Sequence, residues 1–303
     1  MTITDRAAAS GEQGVAPAGF RLPAATRLGR VRLQVADLAR SLAWYGDVLG
    51  LRVLERADGH ATLAAHGDDR PLLELHERPG AAPAPHRGRL GLYHFAILLP
   101  DRAALGRFVA HLAEVGERAG ASDHRVSEAL YLNDPDGLGI EVYADRARGS
   151  WAWQNGQLAM DTRPLDLESL VRAAEGQPWT GMPADTVIGH VHLHVGTIDE
   201  AASFYHGALG FDKVVWSYPG ALFLSAGGYH HHLGLNTWAG AGARPAGEND
   251  ARLLSWQIIV PTSADADEAA ASFRSAGYTA DRRDGGWRSA DPWGTELHLT
   301  ADD

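Results

Sequence analysis

Residues 35–51, VADLARSLAWYGDVLGL, and residues 195–211, VGTIDEAASFYHGALGF, align at a constant offset of 160 with no gap. Each follows an alternating stretch, RVRLQV at 30–35 and HVHLHV at 190–195, which reads as a half-buried strand. Each then carries an amphipathic helical pattern with an aromatic pair, Trp44-Tyr45 and Phe204-Tyr205. Each closes on Leu-Gly and an apolar residue, a helix stop running into the next strand. Repetition at fixed spacing points to a repeated structural unit.

A second pair of repeats follows the same plan. YHFAILLP (93–100) precedes the helical RAALGRFVAHLAEVG, and LSWQIIVP (254–261) precedes ADEAAASFRSAGY. Both end on an Asp-Pro-x-Gly turn and a strand, NDPDGLGIEVYADR (133–146) and ADPWGTELHLTADD (290–303). The chain therefore contains four strand–helix–three-strand units, near 28–78, 90–146, 187–239 and 252–301. Grouped along the chain, they make a first domain at 27–146 and a second at 187–303, joined by a connector at 147–186 with one amphipathic helical stretch, LDLESLVRAA. Residues 1–26 are small, polar and rich in Pro and Gly; they read as a flexible arm without the apolar run of a signal peptide.

Composition narrows the chemistry. There is no cysteine among the 303 residues, so disulfides and thiolate metal sites are excluded. Any metal must be held by His, Asp, Glu or backbone oxygen. A net charge of −11 argues against nucleic acid as a partner, and scattered basic residues argue against a membrane-binding patch. No run of 18 apolar residues is present, and the expected location is the cytoplasm.

The unit pattern and the stretch DHRVSEALYLNDPDGLGIEVYADR (123–146) resemble the vicinal oxygen chelate superfamily. Within it the chain is similar to two-domain catechol 2,3-dioxygenases, the type I extradiol enzymes. The resemblance covers 28–146 and 187–301 and implies an α+β fold in which βαβββ units pair into two cup-shaped half-barrel modules. It also implies a metal-dependent oxidoreductase of aromatic catabolism that inserts O₂ into a catechol beside the diol. The implied cofactor is Fe(II), with Mn(II) as the alternative, and the implied ligands are two His and one Glu leaving three positions open.

In the family one His opens each unit of a cup, and the Glu lies after the Asp-Pro-x-Gly turn. Unit one opens with Arg30, unit two with His94, unit three with His190 and unit four with Ser255. Unit two closes with Glu141, and Glu296 reads as its counterpart in unit four. Neighbouring units thus give no complete triad, whereas units two and three together give His94, Glu141 and His190. The expectation is non-sequential pairing, within one chain or between chains of a homo-oligomer, with units one and four forming a metal-free cup. The resemblance further assigns His231 as the acid–base group, and His124 and Tyr131 as residues that hold the substrate oxygens.

A lone His on an apolar strand is more often structural than a ligand; the matched positions and Glu141 are what single out His94 and His190. Glu74 resembles the Glu of glyoxalase-type units but lacks partners at Arg30 and Ser255, so it reads as a surface or structural residue. In GGYHHHLGLNTW (227–238), strand alternation would put His231 on one face and His230 and His232 on the other. Two other functions stay open: a glyoxalase-like isomerase or transferase, and a non-catalytic ligand-binding protein of the bleomycin-resistance type. The first normally carries a second carboxylate, and Gly234 stands there in unit three.

Overall fold

A computed structural model describes residues 13–302. The first twelve residues of the expected arm lie outside the described residues. Unit one comprises β1 (Arg27–Val35), α1 (Leu38–Asp47), β2 (Arg52–Ala57), β3 (His60–Ala64) and β4 (Leu73–Glu77). Unit two comprises β5 (Arg89–Leu98), α2 (Arg102–Val115), β6 (Gly120–Asp123), β7 (Ser127–Asn133) and β8 (Gly139–Asp145). The connector holds two short strands, β9 (Trp153–Gln154) and β10 (Gln157–Leu158), and α3 (Leu167–Ala173). Unit three has β11 (Val187–His194), α4 (Ile198–Ala202) running into a π-turn over Ser203–Ala208, β12 (Asp212–Val215), β13 (Ala221–Ser225) and β14 (Leu233–Asn236). After β15 (Arg244–Pro245), unit four has β16 (Arg252–Val260), α5 (Ser263–Ser275), β17 (Asp281–Arg283), β18 (Gly286–Ala290) and β19 (Glu296–Ala301).

Each unit's helix starts in the same way. A short polar side chain just after the first strand accepts a backbone N–H three residues on: Asp37 for α1, Asp101 for α2, Thr197 for α4 and Thr262 for α5. Such caps satisfy donors that the first helical turn leaves unpaired. In α5 the cap is reciprocal, because Asp265 also accepts from the Thr262 N–H. Helix α2 stops at Gly116, whose φ of 74° is left-handed and costs a glycine little.

The sheets do not follow chain order. One is nine-stranded, with the path β12-β13-β14-β11-β5-β8-β7-β6 and β15 added beside β5. It joins unit three to unit two through the antiparallel pair β11–β5. The other runs β17-β18-β19-β16-β1-β4-β3-β2 and joins unit four to unit one through β1–β16. Each sheet thus takes one unit from residues 27–146 and one from 187–303. The α+β architecture is two such curled sheets, each a half-barrel cup, with the helices packed outside.

Units adjacent in sequence are joined differently. The Tyr45 hydroxyl on α1 donates to Asp134 Oδ2 in the turn of unit two at 3.2 Å, and Tyr205 of unit three donates to Asp291 Oδ2 of unit four at 3.0 Å. The same aspartates accept two backbone N–H groups of their own turns. This satisfies buried polar groups that would otherwise be costly. Each Asp-Pro-x-Gly turn is therefore a clasp between a sheet end and the helix of the preceding unit. One apolar core, including Leu33, Phe108, Phe204, Trp256 and Phe273, runs through both modules.

Residues 13–26 pack against unit three, unlike a free arm. Val15 bridges Lys213, Leu22 is buried and donates its N–H to Gly210, and Arg21 pairs with Asp212. The Arg21 guanidinium meets the carboxylate through two hydrogen bonds, of 2.8 and 2.7 Å. Composition alone misses this, because a few anchoring residues outweigh many small polar ones. Among the described residues no helix is long and apolar enough to cross a membrane.

Candidate metal centre

The centre is set by strand register. In one row across four strands, His190 on β11 lies opposite Ala96 on β5, Ala96 opposite Glu141 on β8, and Glu141 opposite Tyr131 on β7. Opposed residues share a face, and His94 shares that face because it lies two residues before Ala96. The small Ala96 leaves room above it into which the longer neighbours converge. His94 Nε2 lies 3.0 Å and His190 Nε2 3.1 Å from the same oxygen, Glu141 Oε2. One ligand atom from each of the three residues lies within 4.8 Å of the others, and all three residues are buried.

The donor set fits a divalent metal. His94 Nε2 is buried with no well-formed hydrogen bond despite its closeness to the carboxylate, so a buried nitrogen carries a free lone pair or an unspent N–H. Burial lowers the pKa of both His94 and His190, which favours the neutral, metal-binding ring. Burial alone would push the Glu141 carboxyl up; His190 and His94 beside it outweigh that and hold it well below the usual carboxylate range. Two neutral imidazoles and one carboxylate are the ligands that Fe(II) takes in a facial triad.

A cavity of about 250 Å³ opens on one side of this group. His94, Glu141, His231, His124 and Tyr131 all line it. His124 Nδ1 donates to the Asp161 carbonyl at 3.0 Å, so its Nε2 accepts from the Tyr131 hydroxyl at 2.7 Å. Burial first, and then Glu141, push the Tyr131 phenol well above its ordinary value, so it stays protonated. His231 packs against the His190 ring, centroids 4.1 Å apart, and burial drives its pKa well down.

His230, His231 and His232 lie before β14 rather than in it, and strand alternation does not govern them. His230 is beside His231, their Nδ1 atoms 2.7 Å apart, and not on an opposite face. His232 does turn away, accepting the Ala226 N–H. Asn236 on β14 donates to His192 and accepts from His194, both on β11, so these two histidines form a polar wall.

The second cup departs from the expected alignment at one point. By register, the counterpart of Glu141 is His298, opposite Gln257, and not Glu296. Glu141 is the seventh residue after the turn aspartate Asp134, and His298 the seventh after Asp291; Glu296 is the fifth, half exposed, near Arg288. The counterpart of Tyr131 is Arg288. Glu74 lies 3.5 Å from Arg30, 3.1 Å from Arg32 and 2.6 Å from His76. The His76 ring first, with Arg32 and Arg30, holds its carboxyl down at about 2. The arginines thus occupy the carboxylate that a metal would need. Among the described residues only His94, Glu141 and His190 form a group of three such ligands.

Several lining residues carry no signal in the sequence. Met160, Asp161 and Thr162 of the connector roof the cavity, and Tyr93, Tyr218, Phe223 and Trp238 form an aromatic wall.

A cup of paired βαβββ units whose two His and one carboxylate could hold a metal ion places the chain in the glyoxalase–dioxygenase class of folds. A family model for the Glyoxalase/Bleomycin resistance protein/Dioxygenase superfamily matches residues 27–142 and 187–298, and the chain belongs to that superfamily. It is 47% identical over 270 residues to catechol-2,3-dioxygenase of Bacillus subtilis (strain 168), covering 88% of this chain and 94% of that protein. Solved structures share the fold. A Bacillus subtilis protein superposes with a TM-score of 0.61 at 14% identity, over 96% of this chain and 86% of that one. Glyoxalase I from Zea mays gives 0.54 at 18%, over 91% and 92%.

Proposed function

We propose that the protein is an extradiol ring-cleaving dioxygenase that takes a catechol and O₂ and opens the ring beside the diol to a yellow aldehyde acid. The carrying observation is the triad His94, Glu141 and His190, two of which, His94 and Glu141, line a cavity together with His231, His124 and Tyr131. The catechol-2,3-dioxygenase relative supports the same reading. Fe(II) is the proposed metal, with Mn(II) the alternative the same donors accept; when bound it supplies a centre for the diol and O₂ to meet. The proposed compartment is the cytoplasm.

The residues have separable tasks. His231 takes a proton from a diol hydroxyl and returns it as the ring opens, work suited to an imidazole. Tyr131, whose proton goes to His124 Nε2, places the lone pairs of its hydroxyl oxygen beside the substrate oxygens, where it accepts from a diol hydroxyl. The aromatic wall and the connector roof exclude water and hold the ring flat. A glyoxalase-type reading has less support. The place of its second carboxylate is Gly234, and a Cβ added there would sit 2.7 Å from the His192 ring. Oxygen uptake by Fe(II)-loaded protein with a panel of catechols tests the proposal. Uptake with a yellow product is expected; none across the panel would contradict it.

A further inference from the structure

Behind the cavity wall, three side chains form a line toward the surface. His231 lines the cavity. Its Nδ1 lies 2.7 Å from Nδ1 of the fully buried His230, and His230 Nε2 lies 2.9 Å from Asp145 Oδ1. The Asp145 side chain reaches solvent at 27% exposure. Tyr229 donates its hydroxyl to the same Asp145 oxygen at 3.3 Å, and the Tyr143 hydroxyl lies 2.7 Å from that of Tyr229. The Trp151 ring packs on His230 with centroids 5.4 Å apart. Asp145 and His230 are therefore fixed by packing and hydrogen bonds.

With His230 neutral, the donors along this line can be assigned in only one order. An ionised carboxylate accepts and never donates. His230 must then carry its proton on Nε2, which leaves a lone pair on its Nδ1. That lone pair needs a donor, so His231 carries its proton on Nδ1. The remaining nitrogen of His231, Nε2, is left as an acceptor on the opposite edge of the ring. We propose that Asp145 and His230 are positioning residues that lock His231 in the Nδ1–H tautomer, so that it meets the diol as a base. The proposal deepens the dioxygenase reading and rests on it for the role of His231.

The proton step balances without any co-reactant. A diol O–H bond breaks, its electron pair stays on oxygen, and an N–H bond forms at His231 Nε2. The imidazolium keeps its Nδ1–H bond to His230, and the proton later leaves by the same Nε2. With the other tautomer, Nε2 would already bear hydrogen and could not accept. A wrong tautomer is costly in other enzymes that hold a catalytic His through a buried Asp.

The test reads the tautomer directly. Protein with ¹⁵N-labelled histidine is loaded with Zn(II), which is diamagnetic, and two-bond ¹H–¹⁵N correlations are recorded, with His231→Gln giving the assignment. The expected result is Nδ1–H at His231 in the wild type, a shift toward Nε2–H in Asp145→Asn, and recovery in Asp145→Glu. In the Fe(II) enzyme, Asp145→Asn should lower kcat by roughly 10²-fold with KM little changed, and Asp145→Glu should restore much of it. Nε2–H at His231 in the wild type, or an Asp145→Asn protein with unchanged tautomer and kcat, would overturn the proposal. The tautomer is read without turnover, so absent oxygen uptake in the wild type counts against the dioxygenase reading alone.

Discussion

The rings of His94 and His190 stand 5.5 Å apart, centroid to centroid, with Glu141 Oε2 within 3.1 Å of a nitrogen on each. The two histidines come from units two and three, which are separated by the whole connector. Replacing either with Ala removes a proposed metal ligand, so the loss of metal affinity should exceed the roughly 10–100-fold typical of removing a residue that only supports a ligand. Metal analysis after dialysis checks this, with Ser255→Ala in the second cup as a control that retains full metal.

Tyr131 faces Glu141 across the β7–β8 pair and keeps its proton. Tyr131→Phe removes one hydroxyl beside the substrate oxygens and leaves the triad intact. The expected effect is a loss of kcat on the order of 10²-fold with metal content unchanged. Steady-state oxygen uptake beside iron quantitation measures it; unchanged kcat would remove Tyr131 from the chemistry.

Asp134 governs a pH dependence of stability. Burial raises its carboxyl from an ordinary value of 3.8 to about 6 in the fold. The folded state therefore binds the proton more tightly than the unfolded chain between those two values. The stabilisation is fully present below about 4 and is lost as pH rises through about 6, a contribution on the order of 3 kcal/mol. Asp134→Asn keeps the acceptor for the Asp136 and Leu138 N–H groups. Urea unfolding at pH 4 and pH 7 should show the variant gaining on the wild type as pH rises. A gap that stays constant would refute the assignment.

The cavity also discriminates by charge. None of the described lining residues is a lysine or arginine, and Glu141 and Asp161 are the acidic ones. A carboxylate on the ring would be buried without a partner. We expect alkyl-substituted catechols to exceed carboxylated ones in kcat/KM by roughly tenfold or more, equal to about 1.4 kcal/mol. Competition between the two substrate types in one assay decides it.

Much of this was legible in the sequence because the fold repeats. A fixed offset between units shows which positions correspond, and the absence of a complete triad in neighbouring units points to units two and three. Reading failed where position depends on local geometry. Glu296 and His298 lie two residues apart on one strand face, and only the count from Asp291 separates them. Residues 230–232 look like the start of a strand, yet the loop after Gly227 and Gly228, both at positive φ, turns His230 back onto His231. The roof from Met160 to Thr162 belongs to no repeat, so comparison between units could not place it.

The most direct test of the central claim is iron bound per chain, measured with oxygen uptake on catechol, for the wild type and for His190→Ala. The account predicts one iron and catechol-dependent uptake in the wild type, and neither in the variant. An His190→Ala protein that keeps its iron and its turnover would contradict a single centre shared by units two and three.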